Sequence, residues 1–549
     1  MGMKKVTGAI VEKNLMRDSL QLMKISEELK KLSGVIEAVV AMGTETNKEI
    51  AKQLGLLLPE VEKAGDSDLF IAIAASDEAS LKNAMSKAKE LLSAPVSGGE
   101  MEYLDVESAL SALPDANLAI VSVPGEYARD VTMKFLERGI HVHLFSDHVP
   151  EEHEVELKRY GYERGLLVLG PGAGTSIING KAIAFANAVR RGPIGIIAAA
   201  GTGLQEVSSL IHNMGSGVSH GLGVGGGDVK DYVGGLMTKL SLSYMERDPS
   251  TKVIAIVSKP PQQETLNSIL EFAEKNTTKP LVLGFMGKVD VKLSENLKRR
   301  TSVARTLHAA ALEAVRLVSP SSYSEIVKKY TIPFDKIDEM LKPHYEKLNS
   351  SQKYIRALYT GGTLTSEALM IFDLLGLEIY SNAPLKGQKK LEDPFKSVEN
   401  SVVDLGEEEF TAGRAHPMID PTIRRLRLIE EAKDPGTAVI LMDFVLGYGS
   451  HPDPAGAHIE SIREAKKIAE REGRHLVIIG YVLGVEGDPQ GFSEQKKKLE
   501  AEGVIVLPTN AISALAAATV ALRGKLNREK VDVLYREYLK AYVEQGGGQ

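Results

Sequence analysis

The residues able to do chemistry in this sequence sit in glycine-rich runs that follow apolar segments. Ala200–Glu206 (AGTGLQE) comes directly after an Ile/Ala run. Glycines at 201 and 203 let the backbone turn sharply and approach a ligand closely. The free N–H groups of a helix starting there, with its dipole, would favour an anion. Gly201, Thr202, Gly203 and Gln205 are therefore candidate phosphate or substrate contacts. A plain strand-to-helix turn with a Thr cap is the alternative. Thr360–Thr365 (TGGTLT) repeats the plan, which makes Gly361, Gly362 and Thr363 a second such set. Ser219–Asp228 (SHGLGVGGGD) is denser in glycine than a connection requires. Gly225 and Gly226 could form a backbone floor, with Asp228 orienting a substrate amide and His220 as a catalytic candidate. Lys259, in the SKPP run, could place a positive charge near an anion, or be a solvated lysine before a rigid turn.

Further on, Gly413–Pro421 (GRAHPMIDP) offers Arg414 for bidentate recognition of a carboxylate. In the same run His416 and Asp420 are a candidate general base and its orienter. A solvated, Pro-stiffened loop is the alternative. Gly170–Thr175 (GPGAGT) and Gly447–Pro454 (GYGSHPDP) also follow apolar runs, but neither is a GxGxxG that opens a helix. The sequence carries no Walker A or HExxH motif.

Elements that could position these runs alternate along the chain. Short apolar segments separated by helical spacing predict parallel sheets with helices on their faces, hence an α/β fold in several domains. The boundaries are residues 1–95, 96–190, 191–330 and 350–549, the last with a long insertion at 381–434. The third unit has strands at Ile194–Ala199, Val218–Val224, Val253–Val257 and Leu281–Phe285. The fourth has them near Tyr354–Tyr359, Ala438–Met442, His475–Ile479 and Gly503–Leu507. The two units read as copies of one plan: strand, Gly/Thr turn, helix with an early acid.

Composition narrows the function. A net charge of -7 lacks the basic stripe that nucleic acid demands, and 5% aromatics with no Trp leave little to stack on bases. The absence of Cys removes thiolate nucleophiles and Cys-based metal sites, and no metal is expected. The most apolar tract, Ala511–Leu522, is shorter than the roughly 20 residues a membrane span needs. These features point to a soluble, cytoplasmic protein with no nucleic-acid or membrane partner.

Taken together, GPGAGT, AAGTGLQE, SHGLGVGGGD, SKPP, LYTGG, GRAHPMIDPT and GYGSHPDPAG resemble the FdrA family over roughly Ala116–Leu522. FdrA proteins are in turn similar to succinyl-CoA synthetase. The resemblance implies a Rossmann-like CoA-binding-type domain and two flavodoxin-like ligase-type domains. It also implies that Gly201–Gly203 and Gly361–Thr363 hold a phosphoryl group between two helix starts.

Two departures bear on the reaction. Where the synthetase carries a phosphorylated histidine, this chain reads Gly287–Ser294 (GKVDVKLS), and His308 lies further on in a run with helical spacing. Val40–Thr46 is a poor substitute for the glycine-rich loop of the CoA-binding domain, which makes CoA a doubtful ligand. The resemblance then implies a carbamoyltransferase subunit acting on oxamate and carbamoyl phosphate in allantoin and purine breakdown. In that reading Arg414 holds the oxamate carboxylate and His416 manages the amide proton. The alternatives are an ADP-forming acyl-CoA synthetase subunit and a non-catalytic anion-binding scaffold. Other enzyme subunits and self-association are the expected partners, with a small anionic acyl compound or phosphate as ligand and no covalently bound cofactor.

Overall fold

The computed structural model describes residues 5–15, 17–93, 103 and 105–540, in two compact units. One holds the described residues of Met1–Glu102 together with Leu405–Arg427; the other holds those of Tyr103–Asp404 and Leu428–Gln549.

The first unit is built on an antiparallel sheet of β1 (Val6–Glu12), β2 (Val35–Met42) and β3 (Leu69–Ala75), in the order β1-β3-β2. The central strand β3 is apolar throughout because both its faces are covered. Leu69, Ile71 and Ile73 pack with Leu22, Ile25 and Leu29 of α1 (Ser19–Lys30). Phe70, Ala72 and Ala74, on the opposite face by the period-two alternation, pack with Ala51 of α2 (Glu45–Gln53) and with Leu56 and Val61 beyond its end. Asp18 starts α1 by accepting from the Leu20 and Gln21 N–H groups, both at 3.1 Å. A further helix, α3 (Glu78–Ser93), adds Ala84, Ala88 and Leu92 to the α1 side.

The second unit begins with a small parallel sheet, β4 (Leu118–Val121), β5 (His141–Leu144) and β6 (Val168–Leu169). It carries α4 (Gly125–Leu136) and α5 (Glu151–Arg164). The hairpin of β7 (Thr175–Ile178) and β8 (Lys181–Ala184) joins the next sheet instead, through an antiparallel pairing of β7. That sheet contains β9 (Ile194–Ala198), β10 (Val218–Gly223), β11 (Val253–Ser258), β12 (Leu281–Phe285) and β13 (Thr301–Ala304). Its order, β13-β12-β11-β9-β10-β7-β8, gives the parallel core the flavodoxin-like arrangement 2-1-3-4-5. Helices α6 (Gly201–Asn213), α7 (Leu236–Arg247) and α8 (Leu307–Val318) belong to this layer.

The plan then repeats. The strands are β14 (Tyr354–Tyr359), β15 (Tyr380–Ser381), β16 (Lys389–Lys390), β17 (Ser401–Asp404), β18 (Thr437–Val445), β19 (Val477–Leu483) and β20 (Ile505–Leu507). Their order, β16-β15-β17-β14-β18-β19-β20, contains the same 2-1-3-4-5 core. Two helices matter for the site, α9 (Gly362–Leu375) and α10 (Asn510–Ala521). Gly376 stops α9 in the left-handed conformation, φ 84, returning its N–H to Asp373.

Two core strands of the flavodoxin-like layers were not visible in the sequence. β13 is four residues long, and β17 lies inside the stretch 381–434 expected to be an insertion. That stretch is therefore no single loop. It supplies the second core strand of one sheet at Ser401–Asp404, and its Leu405–Arg427 part folds with the first unit.

Candidate functional site

In each flavodoxin-like layer the first core strand is central, and the helix following it starts at the strand's C-terminal end, where open α/β sheets bind ligands. β9 leads into α6 through Ala200, and β14 leads into α9 through Gly361; neither N-cap residue makes a side-chain capping bond. Several N–H groups at each start thus have no intrahelical acceptor. Thr202 and Thr363 are each the second helical residue, so neither is the helix cap that the sequence suggested for Thr202.

The two starts meet. A Cβ on Gly361 would lie 2.4 Å from Thr202 Cγ2, and one on Gly203 would lie 3.0 Å from Thr363 Cγ2. Each threonine thus sits over a glycine of the other turn, and only the missing Cβ allows the approach. Other glycine runs converge beside them. A Cβ on Gly201 would come 3.1 Å from Thr175 Oγ1, and Gly225, φ 83, is pressed against Gly170. Thr363 is 3% exposed, and its Oγ1 has no hydrogen-bond partner among the described residues. Gly362 opens α9 beside it, and Gly226 opens the short 3-10 turn after β10. Lys259 stands exposed just past β11, at the same C-terminal edge of the sheet.

Behind the turns lies a buried carboxyl pair. Glu206 and Glu367 are each the sixth residue of their helix and fully buried. Glu367 Oε1 accepts the Leu307 N–H at the start of α8 at 2.8 Å, and Oε2 accepts from Asn510 Nδ2 at 2.9 Å. Glu206 Oε2 lies 2.5 Å from the Tyr481 hydroxyl and its carboxyl faces the Asn510 N–H at the start of α10. The first helix of each layer thus presents its carboxyl to the last helix of the other. Burial pushes both carboxyls above the usual carboxylate range, and for Glu206 the neighbouring Glu367 adds to the rise. The sequence showed an acid after each turn but gave neither a role; their identical offset from the helix starts was the signal.

Several candidate residues are engaged in holding the fold. Asp228 accepts from Met237 N and Thr238 N, both at 2.9 Å, and from Thr238 Oγ1 at 2.6 Å, starting α7, with Lys158 Nζ 3.6 Å away. Its oxygens are committed to that helix, which corrects the expectation of a substrate-orienting acid. Gln205 turns its side chain to Asn187 Oδ1 at 3.3 Å. His220 Nδ1 accepts from Asn179 N at 3.1 Å and its Nε2 lies 3.4 Å from Asp248. Burial lowers its pKa, against the opposing pull of Asp248. It lies in the body of β10, away from the Gly225 turn.

The GRAHPMIDP run belongs to the first unit. Arg414 pairs with Asp420 and donates to Asn47 Oδ1 at 3.1 Å; Asn47 in turn donates to the Gly413 carbonyl at 3.1 Å. Asp420 also accepts from Thr422 N at 3.0 Å. The expected His416–Asp420 dyad does not form, because the guanidinium of Arg414 takes the carboxylate. His416 accepts instead from Met418 N at 3.2 Å, and burial, with the charge of Arg424, pushes its pKa down to about 4. Such an imidazole is a weak base. His308 is buried in α8 with Nδ1 3.1 Å from Thr509 Oγ1 and Nε2 2.9 Å from Thr331 Oγ1, and burial lowers its pKa to about 3. The Gly287–Ser294 segment follows β12, and a Cβ on Gly287 would be 3.6 Å from Met370 of α9. No group of three metal-ligating side chains occurs among the described residues, and no helix there is long and apolar enough to cross a membrane.

A family model described as CoA-ligase matches residues 358–520, and one described as AllF, heavy metal-associated domain, matches residues 3–105. The uncharacterized protein YahF of Escherichia coli (strain K12) is 41% identical over 519 residues, covering 94% of this chain and 99% of that one. The succinate–CoA ligase [ADP-forming] subunit alpha of Methanothermobacter thermautotrophicus is 28% identical over 158 residues, 28% of this chain and 52% of that one. Among solved structures, the dinucleotide-forming acetyl-coenzyme A synthetase 1 of Ca. Korarchaeum cryptofilum, in complex with phosphate and ADP, aligns over 80% of this chain and 89% of its own. That alignment has 17% identity and a TM-score of 0.33. With 41% identity over nearly the full length of both chains, this chain belongs to the same family as YahF, and its residues 358–520 match the CoA-ligase model.

Proposed function

We propose that this chain is a subunit of an acyl-CoA synthetase-type, acid–thiol ligase enzyme, with an acyl phosphate handled at the paired turns. The observation that carries the reading is the reciprocal packing of Thr202 on Gly361 and Thr363 on Gly203. It places two helix starts without side-chain caps at one seam, with a buried hydroxyl awaiting a partner. Each dipole would stabilise an anion by roughly 0.3–1 kcal/mol when exposed and up to about 2 when partly buried. The N–H groups would add charge-assisted hydrogen bonds. In this reading the turns hold the phosphoryl group while the acyl carbon passes to its acceptor, and Glu206 and Glu367 keep the two starts in register.

A second reading is favoured by one observation: the segment after β12 has no histidine, and both ring nitrogens of His308 face hydroxyls. A protein without its own phosphoacceptor could accept a ready-made acyl phosphate. Carbamoyl transfer between carbamoyl phosphate and oxamate, as the FdrA resemblance implies, fits that chemistry. It does not rest on Arg414 and His416, whose partners are described above.

Calorimetric titration of the intact protein with phosphate, CoA and carbamoyl phosphate tests both. Phosphate binding that Thr202→Asp and Thr363→Asp abolish is expected under either reading. CoA binding, with ATP-dependent thioester formation once partner subunits are added, would establish the ligase. Carbamoyl phosphate binding without CoA binding, and no phosphohistidine after incubation with ATP, would establish the transferase. Unchanged phosphate affinity in both Asp variants would reduce the turns to structural connections.

A further inference from the structure

Parallel strands have two edges, and the turns described above lie at the C-terminal one. At the opposite edge of the β4–β5–β6 sheet the structure has a cavity of about 540 Å³. Small-molecule sites usually measure about 300–1,000 Å³. Asn117, His141 and Leu167, which stand at or just before the starts of β4, β5 and β6, line it on one side. The far wall comes from β10 and from the C-terminal end of α7, so the cavity spans the seam between the small sheet and the first ligase-type layer.

Its chemistry is one-sided. Leu118, Leu167, Leu169, Ile178, Leu222 and Met245 make an aliphatic wall. The polar groups are arranged to donate. His141 Nδ1 accepts the Leu167 N–H at 2.9 Å, which fixes the neutral ring with its proton on Nε2. That N–H has no partner among the described residues, and the ring meets Tyr244 edge-on, with centroids 6.0 Å apart. Arg247, exposed at the rim, lies over the other wall formed by Tyr244, 5.1 Å from the ring centroid, with only its Nε committed, to Ser243 O. The one acid, Asp248, is already consumed: it accepts from Ser250 and Thr251 hydroxyls, both at 2.6 Å, and faces His220. A cation would therefore find no free carboxylate, and a phosphate would meet one guanidinium against a mostly aliphatic surface.

We propose that this cavity is a second ligand site, separate from the paired turns, and that it takes a single-ring or branched monocarboxylate. The apolar body lies on the aliphatic wall, and the carboxylate takes the Arg247 guanidinium and the His141 Nε2–H. Because its two sides belong to different layers, the occupant bridges them and acts as an effector rather than as the reacting group.

Benzoate is the probe, titrated into the intact protein and followed by saturation-transfer NMR, with neutral benzamide as the control. Benzoate is expected to bind at least roughly tenfold more tightly than benzamide, the size of one charge-assisted hydrogen bond. Arg247→Gln, an exposed change, should erase that preference while leaving phosphate binding at the turns intact. Leu118→Trp should block both probes by filling the cavity. The proposal is overturned if benzoate does not bind, if benzamide binds equally well, or if benzoate binding survives both substitutions. Loss of phosphate binding in Arg247→Gln would also overturn it, because the two sites would then not be separate.

Discussion

Thr363 carries the sharpest test of the site. A buried hydroxyl without a partner costs stability, and replacing it with a methyl of the same shape is neutral or favourable. Thr363→Val should therefore leave the protein as stable or raise its stability by up to about 1 kcal/mol, while phosphate affinity falls roughly two- to tenfold. Thermal melting and calorimetry on one sample decide it: a destabilised variant with unchanged phosphate affinity would mean the hydroxyl serves the fold. The residue types at the turns were legible in the sequence because the strand–Gly–Thr–helix plan occurs twice. The fate of His416 was not. Its expected orienter is claimed by Arg414, whose own neighbour Asn47 lies 367 positions away in the chain, and no local spacing reveals that.

Helices and strands set the next scale. Gly361 has φ -150, an ordinary extended conformation, so its requirement for glycine comes from Thr202 alone. Gly361→Ala should cost about 1–3 kcal/mol through overpacking. Thr202→Ser removes the nearest atom, Cγ2, and should recover part of that loss in the double variant. Additive effects in a double-mutant cycle would show that the two helix starts do not press on each other. The buried pair behind them adds a pH dependence. Glu206 has a folded-state pKa raised by burial, so the folded protein holds its proton more tightly than the unfolded chain. The associated stability is fully present below the unfolded pKa and is lost as pH rises through the folded one. Glu206→Gln should flatten that loss, melting higher than the parent at alkaline pH and no higher at pH 4. A constant difference across the range would count against a raised pKa. The four-residue strands β13 and β17 escaped the sequence reading because they are short and flanked by charged residues, so neither alternation nor an apolar run marks them.

For the molecule as a whole, the fold class and the duplicated layers were readable in advance, since long apolar strands such as β18 and β19 are buried on both faces. The assignment of Leu405–Arg427 was not, because it depends on contacts far apart in the chain. Asn47 holds that segment by donating to Gly413 O and Met42 O while accepting from Arg414. Asn47→Ala should cost about 1–3 kcal/mol and open 405–427 to protease. Limited proteolysis followed by mass spectrometry reads this directly; cleavage of that segment at the parental rate would mean that Asn47 does not fasten it.

The exchange of carboxyls between the layers makes the two halves mutually obligate. Leu307 at the head of α8 finds its acceptor, Glu367, only in the other half, and Glu206 finds Tyr481 there. Separated, each half would expose a carboxyl-bearing apolar face and leave an orphaned helix start. A chain nicked between Lys347 and Ser351 should accordingly still travel as one particle in size-exclusion chromatography, and halves expressed alone should be insoluble until they meet.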